Sequence, residues 1–337
     1  MKKVLVTGAA GFIGFHVVKK LVSLGYNVVG IDSINDYYNV GLKKDRIGNL
    51  KGLPDFYFEE INICDKAKLD ALFEKEKFDI VINLAAQAGV RYSIEKPYNY
   101  LDSNISGFTN ILEACRRFPV KHLIFASSSS VYGANAKVPF AENDTTDHPL
   151  SLYAATKKAN EALAHSYAAL YGIPSTALRF FTVYGPWGRP DMAYFSFTDS
   201  IYHGKTIKVF NNGNMRRDFT YIDDIVNVIA LLIDKQPSVQ PDKQGQILLP
   251  SESYAPYKVY NIGNNNPVNL SDFIHILEDL IGKKAVIENL PIQKGDMLET
   301  YADIEALSNA TGYRPVTDIR TGLTSFVNWY KEYFKIG

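Results

Sequence analysis

The sequence predicts an α/β protein built on a doubly wound parallel sheet. Short apolar strands alternate with helical segments in the first half of the chain, and the first strand leads into a glycine-rich turn that opens a helix. The strands are apolar on both faces, as expected for a parallel sheet covered by helices on both sides. At 337 residues the chain is long enough for two lobes.

The predicted elements follow one another with little intervening chain. Strands are predicted at 3–7, 27–32, 56–61, 78–84 and 122–126, and a further strand at 257–263 rejoins the sheet. Helices are predicted at 15–24, 66–76, 104–118, 151–171 and 270–281. Because the last strand returns late in the chain, we expect interleaved lobes. Residues 1–180, completed by about 221–264, form the sheet lobe, and 181–220 with 265–337 form a smaller lobe.

The turn after the first strand has the spacing Gly8-x-x-Gly11-x-x-Gly14. Glycines there let the backbone approach a pyrophosphate, which rests on the amides and positive dipole of the helix N-terminus. The next strand ends on Asp32, whose carboxylate suits the hydroxyls of an adenosine ribose. No arginine occupies the next three positions to bind a 2′-phosphate. The pattern therefore predicts a Rossmann-type lobe that binds NAD rather than NADP.

Ligands of doubly wound sheets bind at the carboxyl ends of the strands, so the residues that follow each strand are candidates. Beyond the glycines and Asp32, the residues expected to line the dinucleotide are Phe12 and Ile13 in the turn, Asn62 and Ile63 after the third strand, and Leu84, Ala85 and Ala86 after the fourth.

Tyr153 and Lys157 are the candidate catalytic pair. Residues four apart lie on one face of a helix, so both side chains point into one site. A neighbouring ammonium lowers the pKa of a phenol and makes it a usable base. Chance is the alternative, because the chain has 22 tyrosines, but the two other Tyr-x-x-x-Lys matches, at 92–96 and 254–258, are followed or interrupted by proline.

Four consecutive serines follow the fifth strand, at 127–130. A polar turn is one interpretation of this run. The other places at least Ser128 within reach of Tyr153, where its hydroxyl orients a hydroxyl of the substrate. We therefore add Ser128 to the candidate catalytic residues.

These motifs together resemble the extended short-chain dehydrogenase/reductase family. Within it the chain is most similar to the nucleotide-sugar 4-epimerases, in particular to the group that acts on UDP-glucuronate. The closer similarity lies in the runs at 31–38, 85–93, 179–192 and 293–296. The resemblance implies an isomerase that converts UDP-glucuronate to UDP-galacturonate through a 4-keto intermediate, with hydride lent to NAD and returned on the opposite face. In this reaction Tyr153 is base and then acid, and Lys157 also bonds the nicotinamide ribose.

Three other activities remain open on the same fold. A UDP-glucose or UDP-N-acetylhexosamine 4-epimerase is the nearest, and a UDP-glucuronate decarboxylase is a further one. Family dehydratases carry Thr-Asp-Glu at positions 128–130, and decarboxylases also carry a glutamate, whereas serines cannot shuttle protons near neutral pH. A catalytically inactive NAD sensor is the third, although it would have no need of the Tyr153 base.

The substrate contacts are expected on both lobes. We hypothesise that Ser128, Ser129, Ser130 and Thr182, with Arg189 nearby, hold the uronate carboxylate in a conformation that resists loss of carbon dioxide. The resemblance further implies substrate contacts from Arg91, from Val209 and Phe210 along the uracil, from Arg217 on the diphosphate, and from Asp296 on the uridine ribose. It also implies a homodimer that pairs the helices at 104–118 and 152–171.

Composition argues against several other partners. Thirty-six basic residues balance thirty-six acidic ones, which gives no electrostatic reason to bind nucleic acid or an anionic membrane. The six histidines and two cysteines show no metal-ligand spacing, so we expect no metal. The chain enters an apolar strand directly after Met-Lys-Lys and has no long apolar span, from which we expect a cytoplasmic protein.

Overall fold

The computed structural model describes residues 2–291 and 298–336. Two groups of elements share the chain, a large parallel sheet with its covering helices and a smaller mixed assembly. The strands of the described residues are β1 (Lys3–Thr7), β2 (Asn27–Asp32), β3 (Phe56–Glu60), β4 (Ile80–Asn83), β5 (His122–Ser128), β6 (Ser175–Phe180), β7 (Thr182–Tyr184), β8 (Thr206–Phe210), β9 (Arg216–Tyr221), β10 (Tyr257–Ile262), β11 (Pro267–Asn269), β12 (Val286–Leu290) and β13 (Glu299–Thr300).

The α-helices lie mainly between these strands. They are α1 (Phe12–Ser23), α2 (Val40–Lys51), α3 (Lys66–Glu76), α4 (Tyr92–Glu95), α5 (Pro97–Tyr100), α6 (Phe108–Arg117), α7 (Leu152–Tyr171), α8 (Ala193–Tyr202), α9 (Ile222–Leu232), α10 (Leu270–Ile281), α11 (Glu305–Thr311) and α12 (Ile319–Phe334). Within the described residues, no helix has the length and apolar character needed to span a membrane.

The large sheet confirms the predicted fold class. Its seven strands lie in the order β10-β6-β5-β4-β1-β2-β3, and every pair of neighbours is parallel. The chain leaves β1 towards β2 on one side and returns to β4 on the other. A crevice opens at such a reversal, beyond the carboxyl ends of the strands, and this is where doubly wound sheets bind ligands.

Two hydrophobic layers hold helices on the faces of this sheet. On one face α1 and α9 pack on β1 and β4 through fully buried residues such as Val18 and Ile229. On the other face α3, α6 and α7 bury residues such as Phe108 and Ala164. Burial on both faces explains why the strands are apolar throughout rather than alternating in polarity.

Several stretches differ from the expected elements, and β6, α9 and α12 are among those that were not predicted. Strand β5 continues two residues further, through Ser128, before a 3₁₀ turn at Ser129–Tyr132. The helix expected at 104–118 is α6 preceded by a π-helical turn at Leu101–Gly107. Helices α2 and α8 were not predicted. Their amphipathic pattern is weak, because α2 is mostly polar and α8 lies in a stretch rich in aromatic and turn residues.

The smaller assembly is built around β9. Strands β7 and β13 pair with it in parallel and β11 pairs antiparallel, while β8 and β12 form a separate parallel pair. Aromatic side chains of α8, α10 and α12 pack on this sheet, including Phe195, Phe273 and Phe326. Strand β7 begins two residues after β6 ends, so this short connection joins the large sheet to the smaller assembly.

Candidate active site

One cavity of about 450 Å³ lies at the carboxyl ends of the central strands. It brings together every described residue expected at the dinucleotide and all of the candidate catalytic residues. The predicted site residues that line it are Gly8, Gly11, Phe12, Ile13, Gly14, Asp32, Asn62, Ile63, Leu84, Ala85, Ala86, Ser128, Ser129, Ser130, Tyr153, Lys157, Thr182 and Arg189. Arg91, Val209, Phe210 and Arg217 are not among the lining residues, and Asp296 lies outside the described residues.

The glycine turn is shaped for close approach of backbone and ligand. Gly8 has a φ of +73°, which side-chain-bearing residues rarely adopt. A Cβ atom at Gly14 would lie 2.1 Å from the Gly8 carbonyl oxygen, so only glycine fits there. Helix α1 starts at Phe12, within this glycine motif, and its first three residues line the cavity. These features fit a dinucleotide pyrophosphate.

Asp32 is held at the end of β2 by the glycine turn. Its carboxylate accepts hydrogen bonds from the backbone amides of Ala10, at 3.1 Å, and Ile34, at 2.8 Å. Burial raises the pKa of this carboxyl, while those two bonds and the charge of Lys43 oppose the rise. An oriented carboxylate at this position suits a ribose diol, so the residues present fit the adenosine half of NAD.

Helix α7 projects Tyr153 and Lys157 towards the cavity. The Ser151 hydroxyl caps the helix by accepting a hydrogen bond from the Ala154 amide at 3.1 Å. Lys157 is only 3 % exposed, and its ammonium donates to the Ala126 carbonyl at 2.8 Å. Burial lowers the pKa of Lys157 to about 8. A buried ammonium that partly deprotonates in this range can exchange protons with its surroundings.

The pKa of Tyr153 does not move in the direction that the sequence suggested. Burial raises it, and this effect outweighs the hydrogen bond from Ser128 and the charge of Arg189, which both lower it. Lys157 was expected to supply the lowering, but its ammonium is directed to the backbone of β5. In this structure Ser128 and Arg189 therefore favour the phenolate. A cationic nicotinamide ring bound beside the phenol would favour it further.

The serine run lies at the end of β5, in contact with α7. Ser128 is buried, and its hydroxyl accepts a hydrogen bond from the Ser130 amide at 3.2 Å, which starts the 3₁₀ turn. Ser129 and Ser130 are half-buried and line the cavity together with Thr182 of β7. Four hydroxyl groups, from these three serines and Thr182, therefore line the cavity. The segment Ser128–Ser130, called the serine turn below, carries no carboxylate.

Arg189 lies at the cavity on an anchored loop. Its guanidinium forms two hydrogen bonds with the Asp191 carboxylate, at 3.0 and 2.5 Å. Tyr37, which follows β2, donates its hydroxyl to the same carboxylate at 3.2 Å. Sequence reasoning missed Asp191 as a partner, although it lies within the 179–192 run, because an acid two residues from an arginine is common on protein surfaces.

Two further cations near the dinucleotide turn were also missed. Arg46 of α2 is fully buried and donates to the Ala10 carbonyl at 2.8 Å and to the Trp187 carbonyl at 2.6 Å. Lys43, one turn earlier, lines the cavity and donates to the Asn35 side chain at 2.6 Å. The polar pattern of α2 gives no amphipathic signal, so nothing in the sequence indicated that these side chains turn inward.

The other predicted substrate contacts are spread more widely over the two lobes. The Arg91 guanidinium lies 5.5 Å from the centre of the Phe210 ring, which links the loop after β4 to the end of β8. Val209 is buried against Ile207 and Ile274, so its side chain packs inside the lobe. Arg217 donates to the carbonyls of Arg216 and Leu298 at 2.9 and 3.4 Å. The roles assigned to these residues stay predictions.

Comparison with known proteins gives a consistent result. The model of the family described as "NAD dependent epimerase/dehydratase family" matches residues 4–263. The chain is 54 % identical to Protein CapI of Staphylococcus aureus, with 99 % of each chain covered. It is 46 % identical to a probable UDP-glucuronate 4-epimerase of Rhizobium meliloti, with 98 % of this chain and 97 % of the relative covered.

A solved structure agrees with these sequence relatives. The UDP-glucuronic acid 4-epimerase of Bacillus cereus, in complex with UDP-glucuronic acid and NAD, superposes with a TM-score of 0.85 at 33 % identity. The match covers 98 % of this chain and 99 % of that one. The predicted fold class and the resemblance stated from the sequence are thereby confirmed.

Proposed function

The chain belongs to the NAD dependent epimerase/dehydratase family, and we propose that it interconverts UDP-glucuronate and UDP-galacturonate with NAD as its cofactor. One observation carries the proposal. The glycine turn, Tyr153 with Lys157, and the serine turn line a single cavity, in a chain similar throughout its length to UDP-glucuronate 4-epimerases. The rival epimerases of neutral and N-acetylated sugars are not favoured by these relatives.

In the proposed reaction Tyr153 removes the proton from the sugar 4-hydroxyl and later returns it. Ser128 orients that hydroxyl and, by its hydrogen bond, lowers the pKa of the Tyr153 phenol against the effect of burial. The chemistry that NAD supplies when bound is reversible acceptance of hydride from C4, returned on the opposite face. Lys157 holds the end of β5 and, as a buried ammonium, stabilises negative charge that develops nearby.

The serine turn determines whether the 4-keto intermediate loses water, loses carbon dioxide or takes its hydride back. Loss of water from a 4-keto sugar needs an acid and a base beside the ring, and Ser128, Ser129 and Ser130 provide neither near neutral pH. Loss of carbon dioxide from a 4-keto uronate requires its carboxylate to turn out of the plane of the ketone. We assign the hydroxyls of the turn, with Thr182, to holding that carboxylate. Arg189 also lines the cavity, where its charge is largely balanced by Asp191, to which two of its donors bond.

The Ser129→Glu variant tests the assignment of the serine turn. We expect a measurable fraction of turnovers to release carbon dioxide and UDP-pentose, because a carboxylate in the turn repels the uronate and, when protonated, can supply the proton that C5 takes up as carbon dioxide leaves. Labelled carbon dioxide from carboxyl-labelled UDP-glucuronate measures that fraction. Ser129→Gln, of similar size and without charge, is the matched control. If Ser129→Glu releases no more carbon dioxide than Ser129→Gln, the assignment is wrong.

We also propose which lobe binds NAD and which binds the nucleotide sugar. Residues 1–180, completed by about 221–264, form the NAD-binding domain, and 181–220 with 265–337 form the nucleotide-sugar lobe. The parallel register of β10 with β6 supports the first part of this division. The cation–π contact between Arg91 and Phe210 supports a UDP site between the two parts, with Arg217 and Asp296 as its proposed polar contacts.

A homodimer is proposed on exposed apolar side chains of α7 and of the segment just before α6, next to the helices at 104–118 and 152–171 that the family resemblance indicates. Ile94, Tyr98 and Leu101 before α6 and Leu170 on α7 are all exposed. Burying such a patch against a second copy would remove it from water. Sedimentation should give twice the chain mass of 37.7 kDa, and Tyr98→Asp should shift it to the single-chain value. We further propose a cytoplasmic location and a product used as a polysaccharide precursor.

The function is tested by incubating the purified protein, supplied with NAD, separately with UDP-glucuronate, UDP-glucose and UDP-N-acetylglucosamine. We expect UDP-galacturonate from the first at a kcat/KM at least about 100-fold above either other sugar, a difference of roughly 3 kcal/mol in transition-state binding. Faster conversion of a neutral or N-acetylated sugar would contradict the proposal.

A further inference from the structure

Beneath the serine turn lies a fully buried ion pair. Arg179 of β6 donates to both carboxylate oxygens of Glu161 on α7, at 2.8 and 2.9 Å. The side chains are 1 % and 5 % exposed. Neither residue lines the cavity, so neither contacts a ligand there. A two-pronged pair of this kind fixes both side chains in orientation as well as in position.

The ion pair contacts one residue before the serine turn, Ser127, and one residue after it, Tyr132. Before the turn, the Ser127 hydroxyl donates to Glu161 Oε1 at 2.6 Å. After the turn, Arg179 Nη1 donates to the Tyr132 hydroxyl at 3.1 Å, and its guanidinium carbon lies 5.0 Å from the centre of the Tyr132 ring. Four residues lie between these two anchors, the serines Ser128, Ser129 and Ser130 and then Val131.

The same pair ties the turn to the catalytic helix. Glu161 lies one turn after Lys157 on α7, and Lys157 donates to the carbonyl of Ala126, next to Ser127. Consecutive residues of β5 are therefore held by consecutive turns of the helix that carries Tyr153. Across the sheet, Ser127 is paired in register with Arg179, which places the guanidinium beside this strand end. The distance between Ser128 and Tyr153 depends on these contacts.

We propose that Arg179 and Glu161, acting through Ser127 and Tyr132, are positioning residues that set Ser128–Ser130 against Tyr153 for the reaction. Folding alone does not require this arrangement, because a buried ion pair is often no more stabilising than apolar residues of the same volume. What apolar residues cannot do is hold two hydroxyl groups in fixed directions. The proposal rests on the proposed function for the roles of the three serines.

Two hydroxyl deletions test it while leaving the ion pair intact. Ser127→Ala releases the first anchor and Tyr132→Phe releases the second. Each has a control that removes a buried hydroxyl elsewhere: Ser175→Ala at the far end of β6, where the hydroxyl bonds the Ile173 carbonyl, and Tyr330→Phe on α12, where it bonds Asp199. All four are assayed with UDP-glucuronate as purified proteins supplied with NAD, and their melting temperatures are measured.

We expect kcat to fall about 10- to 100-fold in Ser127→Ala and Tyr132→Phe, the range expected when a reacting group is misplaced by a fraction of an ångström to one ångström. KM should stay within about threefold, because the hydroxyl of Ser127, which lines the cavity, is already bonded to Glu161, and Tyr132 is not among the lining residues. The fraction of turnovers that release carbon dioxide should rise in both variants. The two controls should keep wild-type kcat and release no additional carbon dioxide.

The readouts separate positioning from folding. If Ser127→Ala and Tyr132→Phe lose melting temperature as the controls do but keep kcat within about twofold of the controls, the anchors serve only folding and the proposal is overturned. Should Ser127→Ala not fold, Tyr132→Phe decides alone. Failure of the proposed function looks different: the wild-type protein would prefer another UDP-sugar, and the kcat comparison would then be made with that sugar.

Discussion

The two lobes present their ligand-binding residues in different ways. In the sheet lobe, every residue expected at the dinucleotide lines one cavity, set by a glycine turn, strand ends and one helix. Where the lobes meet, Arg91 of the sheet lobe lies over the Phe210 ring of the smaller lobe, in which Val209 packs inside. Groups fixed by backbone geometry are in place before a ligand arrives, whereas long side chains on separate loops are arranged by contacts with one another. We therefore expect changes at the glycine turn and at the catalytic helix to affect NAD binding and chemistry, and changes at the contact between the lobes to affect substrate affinity.

The largest effect is expected from Tyr153→Phe. Removing the hydroxyl removes the proton acceptor for the sugar 4-hydroxyl, so kcat should fall at least about 1,000-fold, within the range for general acid–base groups. NAD should still bind. Rates of epimer formation and bound NAD are measured in parallel. Tyr167→Phe, on the same helix with its hydroxyl on Glu113, is the control and should keep wild-type kcat. Substantial activity in Tyr153→Phe would show that the Tyr153 phenol is not the base of the reaction.

Gly14→Ala should break the dinucleotide turn. The Cβ of the alanine would lie 2.1 Å from the Gly8 carbonyl oxygen, so the turn must shift. The backbone amides that are expected to bind the pyrophosphate would shift with it. We expect NAD affinity to fall about 100-fold, from loss of about two charge-assisted hydrogen bonds. Calorimetric titration with NAD measures the change. At Gly48 of α2 a Cβ meets nothing within 4 Å, so Gly48→Ala is the control. Unchanged affinity in Gly14→Ala would show that the turn does not hold NAD.

Lys157→Met tests whether a functional ammonium is buried at a cost in stability. Burial lowers the pKa of Lys157 to about 8, so the folded protein holds this proton less tightly than the unfolded chain does. Below pH 8 the charged group therefore costs stability, on the order of 3 kcal/mol at about 1.36 kcal/mol per pKa unit. The cost shrinks as pH rises from about 8 towards the ordinary value of 10.5.

Urea unfolding at pH 7 and pH 9.5, without added nucleotide, measures this difference. Lys157→Met should be more stable than the wild-type protein at pH 7, by up to about 3 kcal/mol, and the gain should diminish at pH 9.5. It should also be inactive. Lys51→Met, on the exposed end of α2, is the control and should leave the free energy of unfolding nearly unchanged at both pH values. If Lys157→Met is less stable than the wild-type protein at pH 7, the claim that the buried ammonium lowers the stability of the fold is wrong.

The smallest effect is expected at the contact between the two lobes. Arg91→Ala should raise KM for UDP-glucuronate about five- to tenfold and leave kcat within about twofold, since a cation–π contact is worth about 1 kcal/mol. Phe210→Leu should have a similar effect, and the double variant should be less than additive because the two side chains touch. A large fall in kcat in either variant would mean that this contact takes part in chemistry, which would contradict the expected difference between it and the catalytic helix.

The sequence predicted best what depends on local pattern. The glycine turn, the strand-end acid and the Tyr-x-x-x-Lys pair each lie within one element or one turn, so their spacing determines their geometry. Contacts between distant segments were not predictable. Asp191 and Tyr37 meet Arg189 from different parts of the chain, and Arg46 reaches the Ala10 and Trp187 carbonyls from a helix with no amphipathic signal. The direction of the Tyr153 pKa shift was wrong for the same reason, since it depends on burial in the assembled site.

The central claim is that one cavity removes hydride from C4 of the sugar and returns it to the same carbon. Conversion of UDP-glucuronate carrying deuterium at C4, in ordinary water, tests it most directly. The account predicts UDP-galacturonate that keeps the deuterium at C4, with none released to solvent and no net NADH formed. Product that has exchanged its deuterium for solvent hydrogen would contradict hydride return and would point to inversion by proton abstraction instead.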